Sequence, residues 1–438
     1  MKKVLIITYY WPPAGGGGVQ RWVKFAKYLR DYGWEPVIFT VDNADYPILD
    51  EQIGSEIPGD LETIKVPIKE PYDLYKQWTG KKKHEKIDAN FLSQGKKLGF
   101  KDKIAVWIRG NLFIPDAKKW WIKPAVKRLR QYLQDNPINA VISTGPPHTC
   151  HLIASGIQKY HAIPWIVDYR DPWTQIDYFN DLRLTKWAEN RHKTLEKQVL
   201  DACDVIVSVG KTIAKDLETI TDTRKVVITN GFDEADRHKE DIGLDEAFSI
   251  VYIGTMNDAR NPDALWQAIA QLKSENHPIL THLKVRLVGK PETIIRQSIE
   301  QYGIGDYIEF VGYVTHKEAI MYQNRARVLL LVINRTSNNA SILPGKIFEY
   351  LSSGRPILCL GPQHGDAADI LQNAGQNNII DYNDWKSVKN YLENQYRLYL
   401  NKSIRNTSSN PQKNIDRYSR KNLTGHLVDL LNELSNNK

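Results

Sequence analysis

The chain has 438 residues, more than one hydrophobic core usually supports, so we expect two or three domains. Its 42% hydrophobic and 25% charged residues are the proportions of an ordinary globular protein. No apolar run approaches 18 residues, which excludes a sequence-predicted membrane-spanning helix, and the formal net charge is +8.

The three cysteines, Cys150, Cys203 and Cys359, are far apart in the sequence. They form neither a zinc-type spacing nor a disulfide framework, which fits a reducing compartment. The apolar run Val4–Ile7 is too short for the core of a signal peptide. We therefore expect a cytoplasmic protein, or one that rests on the inner face of a membrane.

The first half of the chain alternates predicted strands and helices. A buried strand, a glycine-rich loop, an amphipathic helix and a second strand come first, which is a βαβ unit and requires a parallel sheet. Further strands with helices between them follow after an interruption. The predicted strands are 4–7, 37–41, 140–143, 165–168, 205–208 and 226–229.

The interruption at residues 45–125 is predicted to be an irregular, basic and tryptophan-rich insertion. From Lys65 to Arg130 there are 18 Lys and Arg against 6 Asp and Glu. Such an excess attracts anionic lipid headgroups, phosphorylated substrates or nucleic acid, and it also fits a solvated surface. No nucleic-acid module is recognisable, so we expect no nucleic-acid partner.

The second half repeats the alternation, which predicts two doubly wound α/β domains that face each other. Ligands in such sheets lie beyond the C-terminal ends of the strands. The predicted domains are 1–235, 236–400 and a tail at 401–438 that packs back on the first domain. The predicted strands are 249–253, 284–288, 307–310, 328–332 and 357–360.

Candidate site residues in the first half follow predicted strands. The run Gly15–Gly18 opens a helix, where a backbone approaches a phosphate or sugar closely, and a flexible turn is the alternative. Arg21 follows in that helix. Asp168, Arg170 and Asp171 come just after a later strand and are site candidates, while an internally paired loop is the alternative. His148 is either a donor to a sugar hydroxyl or a capping residue.

Candidates in the second half lie after its first predicted strand and in a later block that contains a helix. Gly254 and Thr255 follow its first strand, and Arg260 could place a guanidinium on a diphosphate. The block from Ser341 to Pro356 predicts a loop, a helix and a strand. Glu349 lies between apolar pairs on that helix, where ribose hydroxyls would satisfy its carboxylate.

The backbone N–H groups ahead of Lys346, at Gly345, would bind phosphate at the helix N-terminus. The sequence contains none of the metalloprotease, nucleophile-elbow, Walker or paired-cysteine motifs, and its acidic clusters show no divalent-metal pattern. We therefore expect no metal and no bound cofactor.

Taken in order, these motifs resemble those of the retaining glycosyltransferases of family 4, which have the GT-B fold. The resemblance covers residues 3 to about 400 and is weakest in the insertion. It is carried by the glycine loop and the sequences Gln20-Arg21, Asn230-Gly231-Phe-Asp233, Val288-Gly289, Phe310-Val-Gly312-Tyr313 and Ser341–Pro356.

The resemblance implies that Glu349 holds the donor ribose, while Ser341 stands where the family usually has a second glutamate. The family's diphosphate-binding cations map near Thr255 and Asn261, which are not basic, so Arg260 and Lys346 would replace them. Phe310–Val314, with Gly312 and Tyr313, would line the base pocket. Gly254 and Gly345 complete the implied donor site.

The implied reaction moves a sugar from a nucleoside-diphosphate sugar to a hydroxyl group with retention of configuration. Arg170, Asp171, Asp168 and Gly17 would act at the reaction centre, and Gly16, Gly18, Arg21 and His148 would bind the acceptor. The basic insertion would suit a lipid-linked sugar acceptor at an anionic membrane, as in surface-polysaccharide assembly.

Three other functions fit the same architecture. A sugar-nucleotide 2-epimerase would act on UDP-N-acetylhexosamine without an acceptor. A non-catalytic sugar-nucleotide or lipid-binding protein would bind without turnover. A nicotinamide-dependent dehydrogenase is disfavoured because the glycines lack the spacing of a dinucleotide site.

Overall fold

The structure is a computed structural model that describes residues 1–46, 48–50, 53–68, 100–237, 243–401 and 414–436. Contacts divide the chain into two compact units, one of residues 1–230 with 420–438 and one of residues 231–419. The division after residue 230 lies five positions before the predicted one. The two α/β domains expected from the sequence are confirmed.

The first unit contains a seven-stranded parallel sheet with the order β3-β2-β1-β4-β5-β6-β7. Its central strands are runs of buried Val, Ile and Leu, because helices cover both faces of a parallel sheet. The strands are β1 Lys2–Ile7, β2 Trp34–Val41, β3 Thr63–Val66, β4 Ala140–Gly145, β5 Trp165–Tyr169, β6 Val205–Ser208 and β7 Lys225–Val227.

Seven helices belong to the described part of this unit. The first begins inside the glycine run, and Gly33 in the left-handed region follows the short turn after it. They are α1 Gly17–Leu29, α2 Phe100–Leu112, α3 Ile122–Asp135, α4 Thr149–Gln158, α5 Lys186–Ala202, α6 Lys211–Asp216 and, at the C-terminal end, the helix Arg420–Asn436, called the C-terminal helix below.

The second unit contains a six-stranded parallel sheet with the order β10-β9-β8-β11-β12-β13. Its strands are β8 Phe248–Ile253, β9 Leu283–Val288, β10 Ile308–Gly312, β11 Val328–Val332, β12 Ile357–Leu360 and β13 Ile379–Ile380. Its helices are α7 Asp263–Ser274, α8 Thr293–Gln301, α9 His316–Arg325, α10 Lys346–Ser352, α11 Asp366–Asn373 and α12 Trp385–Leu400.

The predicted irregular insertion is corrected in its described parts. Strand β3 pairs with β2 at the edge of the sheet, and α2 and α3 are regular helices. Trp121 is fully buried and stacks on Phe39, so it belongs to the core, while Trp107 and Trp120 are exposed. Trp78 lies outside the described residues.

The C-terminal helix packs against α1, although about 190 residues of the second unit precede it in sequence. Its apolar side is buried. Two side-chain hydrogen bonds also hold the helix: Lys2 donates to Asn436 at 3.1 Å, and Trp34 donates to Asn432 at 3.1 Å. The first unit is therefore closed by a segment from the far end of the chain. In the described ranges, no helix is both long and apolar enough to cross a bilayer.

Replacing Leu431, which is fully buried in this helix, with Ala should lower the free energy of unfolding by about 2–5 kcal/mol, because it removes apolar contacts and leaves a cavity. Urea unfolding followed by tryptophan fluorescence measures the change. Asp429→Ala, on the exposed side of the same helix, should stay within about 0.5 kcal/mol of the wild type. Equal effects of the two substitutions would show that the helix is not docked as described.

Candidate active site

A buried ion pair lies at the centre of the first unit. The Arg21 guanidinium is 0% exposed and donates from Nη2 to Asp168 Oδ1 at 3.0 Å. It also donates to the backbone carbonyls of Ile228 at 2.9 Å and Thr229 at 2.7 Å. One side chain of α1 thereby fixes β5 and the segment that follows β7.

The other carboxylate oxygen of Asp168 also accepts hydrogen bonds. Oδ2 accepts hydrogen bonds from Trp22 Nε1 at 2.9 Å and Thr144 Oγ1 at 2.8 Å. A buried carboxylate needs such partners to offset its lost hydration. The predictions that Asp168 acts at the reaction centre and that Arg21 faces an acceptor are corrected, since both side chains are enclosed and bonded to each other.

Arg170, two residues further on, lies directly against the glycine loop. A Cβ atom on Gly18 would be 1.3 Å from Arg170 Nη1, so only glycine leaves room for the guanidinium. Arg170 Nε also pairs with Asp171 at 3.4 Å, which realises the internally paired loop considered as the alternative. Asp171 is about half exposed and remains open to a ligand.

The other glycines of the run have different local roles. Gly15 donates its N–H to the carbonyl of Ile48 at 2.9 Å, and Gly16 has a φ of 108°, which favours glycine. A Cβ on Gly17 would meet nothing within 4 Å. The predicted roles of Gly16 and Gly17 at the ligand therefore stay predictions, while Gly18 is explained by Arg170.

A buried network that the sequence did not reveal supports the loop after Asp171. Glu196 is 1% exposed on α5 and accepts hydrogen bonds from Tyr169 and Thr174. The Tyr169 hydroxyl oxygen accepts the N–H of Trp173 at 2.7 Å. Burial raises the pKa of Glu196. A single glutamate within a helix carries no pattern that points to this role.

His148 is the N-cap residue immediately before α4, three positions after the end of β4, and is 8% exposed. Its ring stacks on Trp173 with centroids 4.7 Å apart and planes 5° apart. Burial, with the neighbouring His151, His192 and Arg170 charges, holds the pKa of His148 well below its usual value. His148 is therefore a neutral side chain beside the Arg170 loop.

In the second unit, Lys346 holds its charge at the end of β8. Its ammonium donates to the carbonyl of Ile253 at 2.6 Å and lies 4.2 Å from the ring centroid of Tyr252. A Cβ on Gly254 would be 3.1 Å from Lys346 Nζ, so that glycine leaves space for the ammonium. The helix that Lys346 begins has seven residues.

Arg260 contacts the segment that follows the same strand. Its Nε donates to Asn334 Oδ1 at 2.5 Å and its Nη1 donates to the carbonyl of Thr255 at 3.3 Å. The two predicted phosphate-binding cations are thus anchored to one backbone segment, 253–255. Asn261 is bonded within the fold, to Asp263, Ser298 and Trp266, so Arg260 is the cation that this loop presents.

Three adjacent strands end at glycines with positive φ: Gly254 at 115°, Gly289 at 127° and Gly312 at 85°. A Cβ on Gly289 would be 2.5 Å from the carbonyl oxygen of Gly254, so glycine is required for this close approach. Together they leave a strip of bare backbone at the C-terminal edge of the sheet. Tyr313, next to Gly312, is 92% exposed there.

Glu349 is half-buried on α10, between two pairs of buried apolar residues, as its sequence predicts. Ser341 uses its hydroxyl within a turn, donating to the carbonyl of Asn338 at 2.9 Å. Gly345 is exposed and has an ordinary helical φ of −55°. Among the side chains that the structure describes, no group of three or more His, Cys, Asp or Glu could hold a metal ion.

The sequence of the second unit matches a known family. Residues 247–394, which include Arg260, Lys346 and Glu349, match the family described as "Glycosyl transferases group 1". The matched residues lie within the second unit. No curated protein sequence matches the chain.

Solved structures share the fold of the whole chain. Sucrose-phosphate synthase from Thermosynechococcus elongatus has a TM-score of 0.63 at 14% identity and covers 100% of both chains. A TarM variant from S. aureus, in complex with fondaparinux, α-GlcNAc-glycerol and UDP, has 0.56 at 12% and covers 99% of this chain and 100% of its own. A protein assigned as a UDP-N-acetylglucosamine 2-epimerase from Listeria monocytogenes has 0.53 at 11% and covers 98% and 95%.

These similarities establish the GT-B fold, with its two parallel-sheet α/β domains. The fold is shared by transferases and an epimerase, so the fold alone does not select the reaction. The family match of residues 247–394 is to glycosyl transferases.

The close contact between Gly18 and Arg170 predicts that a larger residue at position 18 lowers activity. Gly18→Ala should displace the Arg170 guanidinium and lower the rate of sugar transfer by roughly 10- to 100-fold, the cost of misplacing a site group by about 1 Å. The fold should persist, since the displaced atoms end a flexible side chain and Ala is a better helix former than Gly.

Gly17→Ala is the matched control, because its new methyl group would meet nothing within 4 Å. Initial rates of both variants are compared in the wild-type and Arg170→Ala backgrounds. Gly18→Ala should have little further effect once Arg170 is gone. An undiminished loss in that background would disprove an effect through Arg170.

Proposed function

We propose that the protein is a glycosyltransferase that moves a sugar from a nucleoside-diphosphate sugar to a hydroxyl acceptor, with retention of configuration and without a metal ion. The observation that carries the proposal is the anchoring of Lys346 and Arg260 on segment 253–255, inside the glycosyltransferase family match. Two cations at one strand end are suited to the charge of a departing diphosphate.

The leaving group gains negative charge as its bond to the sugar breaks. Lys346 and Arg260 would stabilise that charge from positions that are fixed before reaction, which is the effective arrangement for electrostatic catalysis. The glycine strip at Gly254, Gly289 and Gly312 would let the diphosphate approach the backbone closely. Addition of EDTA should then leave the activity unchanged.

Glu349 would bind the ribose of the donor. Its helix buries the residues on both sides of it, so Glu349 is held at a fixed place and is itself only partly buried. Ribose hydroxyls are donors that match a carboxylate. Tyr313, exposed beside Gly312, would offer its ring to the base.

In the first unit, Asp171 and Arg170 would orient the reacting sugar and acceptor. Arg170 is held by its packing on Gly18, while Asp171 is 47% exposed and can accept a hydroxyl hydrogen bond. The acceptor proton would pass to the departing phosphate oxygen, so no protein base is needed. We further propose a sugar or lipid-linked sugar as acceptor, as in surface-polysaccharide assembly.

Binding of donor nucleotides tests the assignment. A nucleotide at about 100 times its dissociation constant should stabilise the wild type by roughly 2.7 kcal/mol, seen as a higher melting temperature in a panel of UDP, GDP, ADP and CMP. Glu349→Ala should weaken that binding by about 10- to 100-fold, the loss of hydrogen bonds to a charged group.

Glu300→Ala, an exposed glutamate on α8 of the same unit, is the control and should keep the full shift. Intact binding in Glu349→Ala would refute the ribose role. Product formation from UDP-N-acetylhexosamine with no acceptor present would favour the epimerase instead, and binding of a nucleotide without any turnover would favour a binding protein.

We also propose that the first unit contacts an anionic membrane, on the cytoplasmic side. Trp107 and Leu112 on α2, Trp120 and Trp187 are 41–67% exposed. Hydrogen bonds of Asn111 with Arg183 and Thr185 join α2, which carries Trp107, to the start of α5, which carries Trp187. Arg109, Lys119 and Lys186 add positive charge there.

Flotation with phosphatidylserine vesicles tests this surface. The wild type should float at low salt and be released at high salt. Trp107→Ser together with Trp187→Ser should abolish flotation, and each removal of Arg109 or Lys186 should weaken it about fivefold, near 1 kcal/mol per charge. Leu400→Ser, an exposed apolar residue of the second unit, should change nothing. Equal flotation of all variants would refute this surface.

A further inference from the structure

Two buried histidines behind the Arg170 loop have ring nitrogens without partners. His148 Nδ1 and His151 Nε2 are both buried and make no hydrogen bond. Both lie within 3.1 Å of the point that a Cβ on Gly145 would occupy, and their ring centroids are 5.7 Å apart. The two nitrogens therefore converge on one spot at the end of β4.

The proton positions on His151 follow from its other neighbours. Trp165 Nε1 donates to Ser143 Oγ at 2.9 Å, and Ser143 Oγ lies 2.8 Å from His151 Nδ1. An indole N–H can only donate, so the Ser143 oxygen accepts there and its own proton is left for His151 Nδ1. The opposite assignment would bury a hydroxyl proton without an acceptor, which is costly.

His151 is neutral, because burial lowers its pKa to about 4. With Nδ1 accepting from Ser143, its single proton must lie on Nε2. The N–H so defined is the one that points to the spot beside Gly145.

His148 must then present a lone pair on Nδ1 towards that N–H. A proton there would set two donors against each other in a buried place, whereas a lone pair can accept from His151 through one water. Neutral His148 consequently carries its proton on Nε2. That nitrogen is not among the buried atoms that lack a hydrogen bond, and the residue as a whole keeps 8% exposure.

We propose that Ser143 and His151 are positioning residues that hold His148 in its Nε2–H form, so that it donates a hydrogen bond to a hydroxyl of the bound acceptor. Only the identity of that ligand rests on the proposed function. Stacking on Trp173 fixes the plane of the His148 ring, and Arg170 follows β5, the strand paired with β4. The neutral imidazole orients the hydroxyl and transfers no proton.

The same geometry explains Gly145. A methyl group there would lie 2.4 Å from His151 Nε2 and 3.1 Å from His148 Nδ1, so only glycine lets the two rings face each other. Ser143, Gly145, His148 and His151 thus form one unit at the end of β4.

NMR of the full chain with ¹⁵N-labelled histidine tests the proposal, since long-range ¹H–¹⁵N correlations distinguish the two neutral tautomers. The wild type should show both His148 and His151 as single Nε2–H tautomers at neutral pH. His148→Gln and His151→Gln assign the signals. Ser143→Ala should release His151 from its tautomer and leave His148 as a mixture of two.

Ser249→Ala is the control, because Ser249 is a fully buried serine in the other sheet whose oxygen accepts from the N–H of Arg327. It should leave both tautomers unchanged. A mixed tautomer of His148 in the wild type, or an unchanged one in Ser143→Ala, would overturn the proposal.

Turnover provides the second readout. Hydrolysis of the nucleotide sugar, in which water replaces the acceptor, should fall about three- to tenfold in Ser143→Ala, the loss of one neutral hydrogen bond, with the donor KM unchanged. A raised donor KM would contradict a role on the acceptor side. The NMR result stands whether or not hydrolysis occurs, so failure of this relay and failure of the glycosyltransferase assignment are distinguishable.

Discussion

The buried pair of Arg21 and Asp168 is the interaction on which the first unit's site depends. A charge with no exposure must find its partners inside the fold, and removal of either partner would leave the other uncompensated, which usually costs about 3–5 kcal/mol. The pair ties α1 to β5 and to the residues after β7. Because α1 begins in the glycine run and Arg170 follows β5, this pair also sets Gly18 against Arg170.

In both units, polar side chains lie directly against the backbone of glycine residues. Gly18 leaves space for a guanidinium, Gly254 for an ammonium, and Gly145 for two imidazoles. In each case the glycine follows or lies near the C-terminal end of a strand, where a parallel sheet collects its ligands. Arg170 and Lys346 can therefore occupy their positions because the neighbouring glycines have no side chain.

Much of the fold could be predicted because its signals are local. Apolar runs such as Val328–Val332 predict buried parallel strands, and the alternation of strands and helices requires a parallel sheet. Strand β3 and helix α2 were missed because a short edge strand and a helix within a charged, tryptophan-rich segment carry weak periodicity. The position of Glu349 on a helix that is buried on both sides of it was predictable from its apolar neighbours.

The sequence by itself determined the two α/β units, the strand-end placement of Arg170, the helical placement of Lys346 and Glu349, and the resemblance to glycosyltransferases, because these follow from periodicity and order along the chain. Only the tertiary structure decided which polar residues are enclosed. Asp168 and Arg21 look like site residues in sequence, yet they satisfy each other in the interior. Burial and pairing depend on residues more than a hundred positions apart, and no local pattern encodes such contacts.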